Sequence, residues 1–392
     1  MLYDLCMLES LFKREGQAEP GSLQTFHILT SILALALIAG SFFFFFWTRV
    51  ETRKDFYNEL WAPAYLLVRG QSPYETSSLN PDLPAAWFPM VIGFFSPLGW
   101  LDKDAGPLVW FGISLLELCA IIFLSQGKSR SLFITLVAAL LALSFPPTLY
   151  HLMLGQISLT IMLCMLLAVH LAIKERPWLA GFFVALGLSK PHLVSLAFLG
   201  LSFYYYRRGG FKGTVAFWLR TFLMIVILCL PLFMAHPNWI PDAVASMQAN
   251  PYWDYPSIFV ALRLNLGTLG LAIWGAIVLV ILYVAYLLWD KLPAQTAMLW
   301  SLALALFITP YVGSWDFVAL LPLYFFTFKQ VDWKRKLFLF LAYILAWYGM
   351  ALVQHVEVSY NLYFWWVPPV LLACVAIVTS WSDFFKRPVK VS

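Results

Sequence analysis

The sequence predicts an all-α integral membrane protein with about 12 transmembrane helices (about 11 to 13) and an external amphipathic or re-entrant region after the first of them. Of the 392 residues, 62% are hydrophobic and only 11% are charged, whereas soluble domains carry about 25% charged residues. The mean hydropathy is +0.79. Several apolar stretches also reach the roughly 20 residues that a helix needs to cross a bilayer.

The predicted spans are apolar runs that lie between charged breaks or breaks rich in proline and glycine. They are 26–47, 107–125, 132–149, 157–173, 178–189, 193–205, 217–235, 268–289, 294–309, 315–328, 337–353 and 363–380. The shorter segment 86–101 contains two prolines and is predicted to be re-entrant or interfacial. The segments 178–189 and 193–205 are interpreted as two short helices, and the alternative is one long helix kinked at Pro191.

This pattern divides the chain into three parts. Residues 1–25 are predicted to form a cytoplasmic tail with an interfacial helix. Residues 26–380 form one polytopic membrane domain whose loop 48–106 is external, and residues 381–392 form a second cytoplasmic tail. Most of the 25 lysines and arginines fall in loops on the same side as the two tails, and short loops rich in these residues stay in the cytoplasm. The sequence therefore predicts a multi-pass cell-membrane protein with both termini inside.

Two pairs of predicted helices, within 178–205 and 294–328, are short. A helix of about 13 residues rises only about 20 Å, which is less than the roughly 30 Å of a bilayer core. Non-helical backbone at membrane depth is tolerated where protein or a wet cavity covers it. We therefore expect a water-filled recess that opens on the external side.

Several classes of protein are disfavoured by what the sequence lacks. The five cysteines offer no plausible disulfide pair and no CxxC metal signature, and the motifs of nucleotide-binding and hydrolase sites are missing. Asp102-Lys103-Asp104 fits a DxD pattern, but a turn at a helix start is the commoner reason for such a triplet. No basic patch interleaved with aromatic residues indicates a nucleic-acid partner. No cofactor is predicted, and a divalent metal is left open.

Nearly all the unusual polar residues lie in the predicted external loops. Asp55 opens an amphipathic segment, where an aspartate serves as a helix N-cap or as a general base. Lys190 lies at a break between apolar segments, where a lysine either reaches the interface or contacts a phosphate or carboxylate. The other polar segments are HLMLGQ (151–156), SKPH (189–192), the loop 236–267, TPYVGSWD (309–316) and QHVEVSYN (354–361). We expect these loops to converge on one face.

Four of these segments resemble the GT-C polytopic glycosyltransferases. The closest resemblance is to the polyprenyl-phosphate-mannose-dependent α-mannosyltransferases, the phosphatidylinositol-mannoside mannosyltransferase-like group. The matching residues are Asp55-Phe56, Gly70, Pro73 and Tyr74 in the first loop, Gly155-Gln156, and Gly181, Gly187, Lys190 and Pro191 in AGFFVALGLSKPH. TPYVGSWD resembles a fourth motif, although Thr309 replaces a serine and Asp316 stands where a histidine is common.

The resemblance implies transfer of a sugar, mannose above all, from a polyprenyl-phosphate donor to a hydroxyl of a lipid-linked or glycan acceptor at the extracytoplasmic face. The reaction inverts the sugar's configuration, and Asp55 is the expected general base. Lys190 and Arg263 are expected to contact the donor phosphate, and His192, His151 and Gln156 the sugar or the phosphate. Glu59, Asp316 and Tyr74 are candidates for acceptor or supporting contacts.

Two other functions fit the same recess. A transporter or flippase of lipid-linked sugars would use it without chemistry, although the two halves of the chain show no convincing internal repeat. An O-antigen ligase or polymerase also handles lipid-linked glycans, but such enzymes carry a larger external loop with arginine and histidine. A non-catalytic scaffold would have no reason to collect polar loops on one side.

Overall fold

The computed structural model describes residues 54–126, 132–250, 255–356, 360–379 and 381. The first predicted span, 26–47, and both predicted tails except residue 381 lie outside these ranges. Within them every regular element is helical. The α-helices are α1 (Ala62–Leu67), α2 (Pro89–Phe95), α3 (Ala105–Ser125), α4 (Leu132–Leu143), α5 (Pro146–Leu154), α6 (Ser158–Ile173), α7 (Pro177–Gly187), α8 (Pro191–Ala235), α9 (Trp239–Ala249), α10 (Ile258–Lys291), α11 (Ala294–Ile308), α12 (Leu321–Gln330), α13 (Trp333–Val356) and α14 (Val367–Val378).

Short helices of other types join several of these elements. A π-helix, Phe56–Trp61, leads directly into α1. 3₁₀ helices span Thr76–Leu79, Ser96–Trp100, Ser314–Leu320 and Tyr360–Trp366. The predicted re-entrant or interfacial segment 86–101 contains α2 and the second of these 3₁₀ helices.

Five helices in the described residues are long and apolar enough to cross a membrane, and six if the bent pair of α4 and α5 forms one span. The predicted count of about 12 is therefore not confirmed. One reason is that α6, with 16 residues, and α11, with 15 residues, are shorter than a full span. Both are buried along most of their length, so their apolar character reflects packing inside the bundle.

The ambiguous segment 178–205 forms two separate helices. The backbone leaves α7 at Gly187, and α8 begins at Pro191, where proline suits the first helical turn. The residues between them, Leu188 to Lys190, are therefore a break and not the middle of one kinked helix.

Two of the long helices fold back on themselves at glycines. In α8 the backbone is non-helical at Gly209 and Gly210, and Trp218 from the second half donates a 2.9 Å hydrogen bond to Ser202 in the first. In α10 the break is at Gly267, and the rings of Phe259 and Trp274 then pack 5.0 Å apart. Each of these helices is thus a pair of packed segments.

Basic loops gather at one end of the bundle. Arg208 donates to Glu175 at 2.9 Å, which joins the break in α8 to the loop between α6 and α7. Arg207 donates to the carboxylate of Asp290 at 3.3 Å, which adds the end of α10. We call this end, with residues 170–176, 205–212 and 290–295, the basic end.

Three more packed helices, α3, α11 and α12, reach the same end. His170 of α6 lies 3.3 Å from the amide of Gln295 in α11. These two residues line a cavity of about 30 Å³ together with Ser125 of α3 and Phe326 of α12. Gln156 and Lys190 lie at the other ends of α6 and α7, away from the basic end.

Candidate functional site

Asp55 lies at the start of the π-helix, and its side chain is not used as a cap. No capping hydrogen bond forms there although the residue stands at the N-cap position. The carboxylate instead accepts a hydrogen bond of 2.5 Å from the side-chain amide of Gln156. Asp55 remains partly exposed, whereas the next residue, Phe56, is fully buried. The carboxylate is therefore fixed in direction, in a residue that is only half-buried.

Gly155 brings Gln156 to Asp55. It ends α5 in the left-handed conformation, with φ of 71°, which glycine adopts without the steric cost that other residues meet. A Cβ atom at this position would lie 2.5 Å from the Cβ of Phe56. The Gly155 carbonyl also accepts a 2.9 Å hydrogen bond from the indole of Trp110. The Gly-Gln pair thus lets the end of α5 approach the backbone next to Asp55.

Lys190 is buried in the break between α7 and α8, with 6% of its surface exposed. Its ammonium group donates to Gln156 Oε1 at 2.8 Å, Ser158 Oγ at 2.9 Å and Asp316 Oδ1 at 2.7 Å. A lysine ammonium has three N–H donors, so all of them are engaged. Burial of such a charge is costly unless it is paired and hydrogen-bonded, and the three partners meet that condition.

Asp316 is fully buried in the 3₁₀ helix Ser314–Leu320. It accepts from Ser158 Oγ at 2.5 Å and from the backbone N–H of Gly313 at 3.0 Å, in addition to Lys190. Burial by itself raises the pKa of this carboxyl, but the neighbouring charge of Lys190 and its hydrogen bond more than compensate. The pKa of Asp316 is consequently held below its usual range, and the residue is a carboxylate at neutral pH.

Four separate parts of the chain are connected by these contacts. We call Asp55, Gln156, Ser158, Lys190 and Asp316 the buried network. Burial raises the pKa of the Asp55 carboxyl above its ordinary value, while the hydrogen bond from Gln156 and the charge of Lys190 oppose that rise. The partly exposed carboxylate is thus a stronger base than an ordinary aspartate.

Two histidines and a tyrosine border the network. His192 Nε2 lies 3.9 Å from Asp316 Oδ2, which is too long for a hydrogen bond. Among the described residues this buried nitrogen has no hydrogen-bond partner. The His192 ring packs edge-on against Tyr311 at 5.2 Å. His151 is fully buried in α5 beside the network, and neither of its ring nitrogens makes a well-formed hydrogen bond within the described chain.

Glu59 and Tyr74 fix the segment that follows α1. We call residues 70–87 the strap. Glu59 accepts from the backbone N–H groups of Ala86 at 2.5 Å and Trp87 at 3.0 Å, and the Tyr74 hydroxyl donates to the Trp87 carbonyl at 2.9 Å. Glu59 therefore holds the end of the strap against the helix that begins after Asp55, and Tyr74 joins two parts of the strap to each other.

Arg263 is not among the residues that the network joins. It lies in the first half of α10, with its guanidinium 5.7 Å from the ring centre of Phe259. Its predicted contact with a donor phosphate remains a prediction, as do the predicted roles of the other site residues.

Sequence reasoning did not select Ser158 or Tyr311. Ser158 begins α6 only two residues after Gln156, so its position was a usable signal. Tyr311 lies in TPYVGSWD, and its ring packs 4.0 Å from that of Tyr255; an aromatic residue in an apolar chain gave no signal of its own.

The Asp102-Lys103-Asp104 triplet forms a turn, as predicted. Asp102 Oδ1 accepts from the backbone N–H groups of Asp104 at 2.9 Å and Ala105 at 2.6 Å, directly before α3. Among the described residues no group of three or more histidine, cysteine, aspartate or glutamate side chains is arranged to hold a metal ion.

Comparison with known proteins identifies the family. No curated protein matches the sequence. The model of glycosyltransferase family 87 matches residues 89–310, which is more than half of the chain. The matched region contains Gln156, Ser158 and Lys190 of the buried network and stops six residues before Asp316. The chain belongs to glycosyltransferase family 87 and is a membrane glycosyltransferase.

Proposed function

We propose that this glycosyltransferase moves a sugar, mannose above all, from a polyprenyl-phosphate donor to a hydroxyl group of a lipid-linked or glycan acceptor. The reaction takes place at the extracytoplasmic face and inverts the configuration of the sugar. The observation that carries the proposal is the hydrogen bond from Gln156 to Asp55, which fixes a partly exposed carboxylate that has no capping role.

Asp55 is the general base of the proposed reaction. It takes the proton of the acceptor hydroxyl while that oxygen forms a bond to the anomeric carbon of the donor sugar. The bond between this carbon and the phosphate oxygen breaks on the opposite face, and the polyprenyl phosphate leaves with the bonding electrons. Because attack and departure occur on opposite faces, one carboxylate is sufficient for inversion.

The proposal assigns the leaving phosphate to Lys190 and Arg263, with His192 as a further contact. Positive charge beside the departing phosphate stabilises the transition state. Since all three N–H donors of Lys190 are engaged, a phosphate oxygen would replace Gln156 or Ser158 as an acceptor. The unsatisfied Nε2 of His192, carrying a hydrogen, can donate to a phosphate oxygen without losing another hydrogen bond. His151 and Gln156 are proposed to contact the sugar or the phosphate, with Glu59, Asp316 and Tyr74 in support.

The placement of charge supports an extracytoplasmic reaction. The basic end of the bundle fits the cytoplasmic side, because lysine and arginine are enriched in cytoplasmic loops. Asp55 and Gln156 belong to the opposite end. A polyprenyl carrier lies within the bilayer, so a site formed by short, buried helices is suited to its phosphate head group.

Membership of a glycosyltransferase family favours an enzyme over a flippase. A flippase would also have no need for a carboxylate fixed in direction by a second side chain. An O-antigen ligase would share the donor type, and it is distinguished by its product, because it transfers a whole glycan and not one sugar.

The test uses purified protein with two kinds of radiolabelled donor, polyprenyl-phosphate mannose and guanosine-diphosphate mannose. Extracted envelope lipids and glycans serve as acceptors, and the products are analysed by mass spectrometry. We expect the acceptor to gain one hexose from the polyprenyl-phosphate donor only. Transfer from the nucleotide sugar in the absence of a lipid carrier would contradict the proposal.

A further inference from the structure

A large cavity is lined mainly by the strap and the helix α9, and none of its described lining residues belongs to the buried network. It has a volume of about 1120 Å³ and is open on one side. Pockets for small molecules have volumes of about 300–1,000 Å³, so this cavity has room for several sugar rings. The family match assigns no ligand to it, and of the residues given roles above only Tyr74 is among its described lining residues.

The lining of the cavity combines apolar surface with polar and acidic groups. Glu75, Asp82 and Asp242 contribute carboxylates, and Gln71 and several serines contribute neutral donors and acceptors. His236 also lines the cavity, and none of its described lining residues is a lysine or arginine. A phosphate group would find no lysine or arginine to pair with among these lining residues and is disfavoured here. An uncharged ligand rich in hydroxyl groups would find many hydrogen-bond partners.

The walls of the cavity are fixed by hydrogen bonds between α9 and the strap. Asp242 accepts from Ser72 Oγ at 2.5 Å and pairs with His236 Nε2 at 3.2 Å. Ser246 donates to the carbonyl of Ala85 at 2.6 Å, and Asn250 adds a 3.2 Å bond to the strap. Such preformed walls reduce the entropy lost when a ligand binds.

One end of the cavity adjoins the segment that carries Asp55. Asp82, which lines the cavity, pairs with Lys54 at 3.0 Å. Its backbone N–H also donates to Asn58 Oδ1 at 3.3 Å. These two partners flank Asp55 in the sequence, one residue before it and three after it. A glycan held in the cavity can therefore extend towards the carboxylate.

We propose that this cavity binds the uncharged oligosaccharide portion of the acceptor, so that the acceptor and the phosphate-bearing donor approach Asp55 from different sides. This inference rests on the proposed function. It separates the two substrates by charge: the cavity has no lysine or arginine among its described lining residues and selects a neutral glycan, while the cations Lys190 and Arg263 serve the donor phosphate.

The first experiment needs no transfer reaction. Saturation-transfer NMR measures the binding of free mannotriose to the purified protein, with inorganic phosphate as a competitor. Ala245→Trp fills the cavity from an exposed position of α9, and Val244→Trp places the same side chain on the adjacent exposed residue outside the lining. We expect a signal from the wild type and from Val244→Trp, a loss of signal in Ala245→Trp, and no displacement by phosphate.

The second experiment measures transfer from polyprenyl-phosphate mannose to octyl α-mannobioside. We expect Ala245→Trp to raise the acceptor KM by about 10-fold or more, while donor affinity and kcat at saturating acceptor stay within about 2-fold of wild type. Gln71→Ala, which removes an exposed lining amide without filling the cavity, should raise the same KM by about 3- to 10-fold.

Two results would overturn the inference, and neither bears on the donor. They are the absence of a mannotriose signal in the wild type and equal acceptor KM values for Ala245→Trp and Val244→Trp. A wild type that binds mannotriose in this cavity but uses no polyprenyl-phosphate sugar would instead refute the proposed function.

Discussion

The side-chain amide of Gln156 donates a 2.5 Å hydrogen bond to the carboxylate of Asp55, across a separation of 101 residues in the sequence. The amide oxygen of the same Gln156 accepts from Lys190 at 2.8 Å. One side chain therefore fixes both the direction of the carboxylate and its distance from the buried cation. The first two predictions test the two ends of this relationship.

Asp55→Asn should leave the protein folded and able to bind the donor, but nearly inactive. Asparagine fits a helix N-terminus as well as aspartate, whereas it cannot take the proton of the acceptor hydroxyl. Loss of a general base lowers the rate by about 10²- to 10⁴-fold. The measurement is kcat with polyprenyl-phosphate mannose, together with donor affinity and Tm.

The matched control is Asp104→Asn, the same change at the exposed N-cap of α3, where we expect full activity. Retention of most of the turnover by Asp55→Asn would show that another group, Asp316 or Glu59 first, is the base.

Lys190→Gln should raise the donor Kd by about 10-fold or more if its ammonium contacts the phosphate, since hydrogen bonds to charged groups contribute about 1.5–3 kcal/mol. If Lys190 only orients Gln156 and Asp316, kcat falls while the donor Kd is unchanged. Titration of the donor and single-turnover rates separate these two roles. Lys174→Gln, at an exposed position of the basic end, should match the wild type in both.

Gly155→Ala should lower both stability and activity. A non-glycine residue at φ of 71° costs about 1–2 kcal/mol, and the added Cβ would also lie 2.5 Å from the Cβ of Phe56. The end of α5 must then move, and Gln156 moves away from Asp55. We expect a lower Tm and a kcat reduced by more than the loss of folded protein explains.

Gly275→Ala is the control for that change, because a Cβ at this helical glycine would meet no atom within 4 Å. Alanine is the better helix former, so the Tm should stay the same or rise. A full-activity Gly155→Ala protein would contradict the requirement for glycine at the approach to Phe56.

Glu59→Gln should change the pH dependence of stability. Burial raises the pKa of Glu59 to about 8 in the folded protein, whereas a glutamate in the unfolded chain ionises near about 4.3. Between these values the folded state holds a proton that the unfolded state has lost, so this group lowers stability as pH rises. The Tm of Glu59→Gln relative to wild type should therefore increase from pH 5 to pH 8, because glutamine accepts the same two backbone N–H groups without titrating.

Glu75→Gln, on the exposed surface of the strap, is the control and should show no such trend. A constant difference in Tm between Glu59→Gln and wild type across this range would show that the buried carboxyl does not control the pH dependence.

The basic end should face the cytoplasm. Arg208→Cys introduces a thiol in the exposed break of α8, and Ser78→Cys introduces one in the strap. In intact cells a membrane-impermeant maleimide should label Ser78→Cys and leave Arg208→Cys unlabelled until the membrane is opened. Rapid labelling of Arg208→Cys in intact cells would reverse the proposed orientation. A cysteine at position 388 tests the tail, which lies outside the described residues.

The sequence by itself determined the membrane class and pointed to four of the five residues of the buried network. Low charge and long apolar runs cannot give a water-soluble surface, and polar residues at breaks in such runs are costly unless they are paired or functional. Asp55, Gln156, Lys190 and Asp316 could be chosen on that basis and by family resemblance. The number of spans could not be predicted in this way. Hydropathy does not distinguish α6 and α11, which are buried in the bundle, from helices that face lipid.

The tertiary structure decided which of these residues meet. Lys190 and Asp316 are 126 residues apart, yet they form a 2.7 Å ion pair, while Arg263 is not joined to the same network. Such distances depend on how α5, α6, α8 and the segment before α12 pack, and no local pattern encodes them. Only the packing shows that the ammonium of Lys190 has a partner for each of its three N–H groups. The sequence specifies which charges are present, and the fold determines how each charge is neutralised.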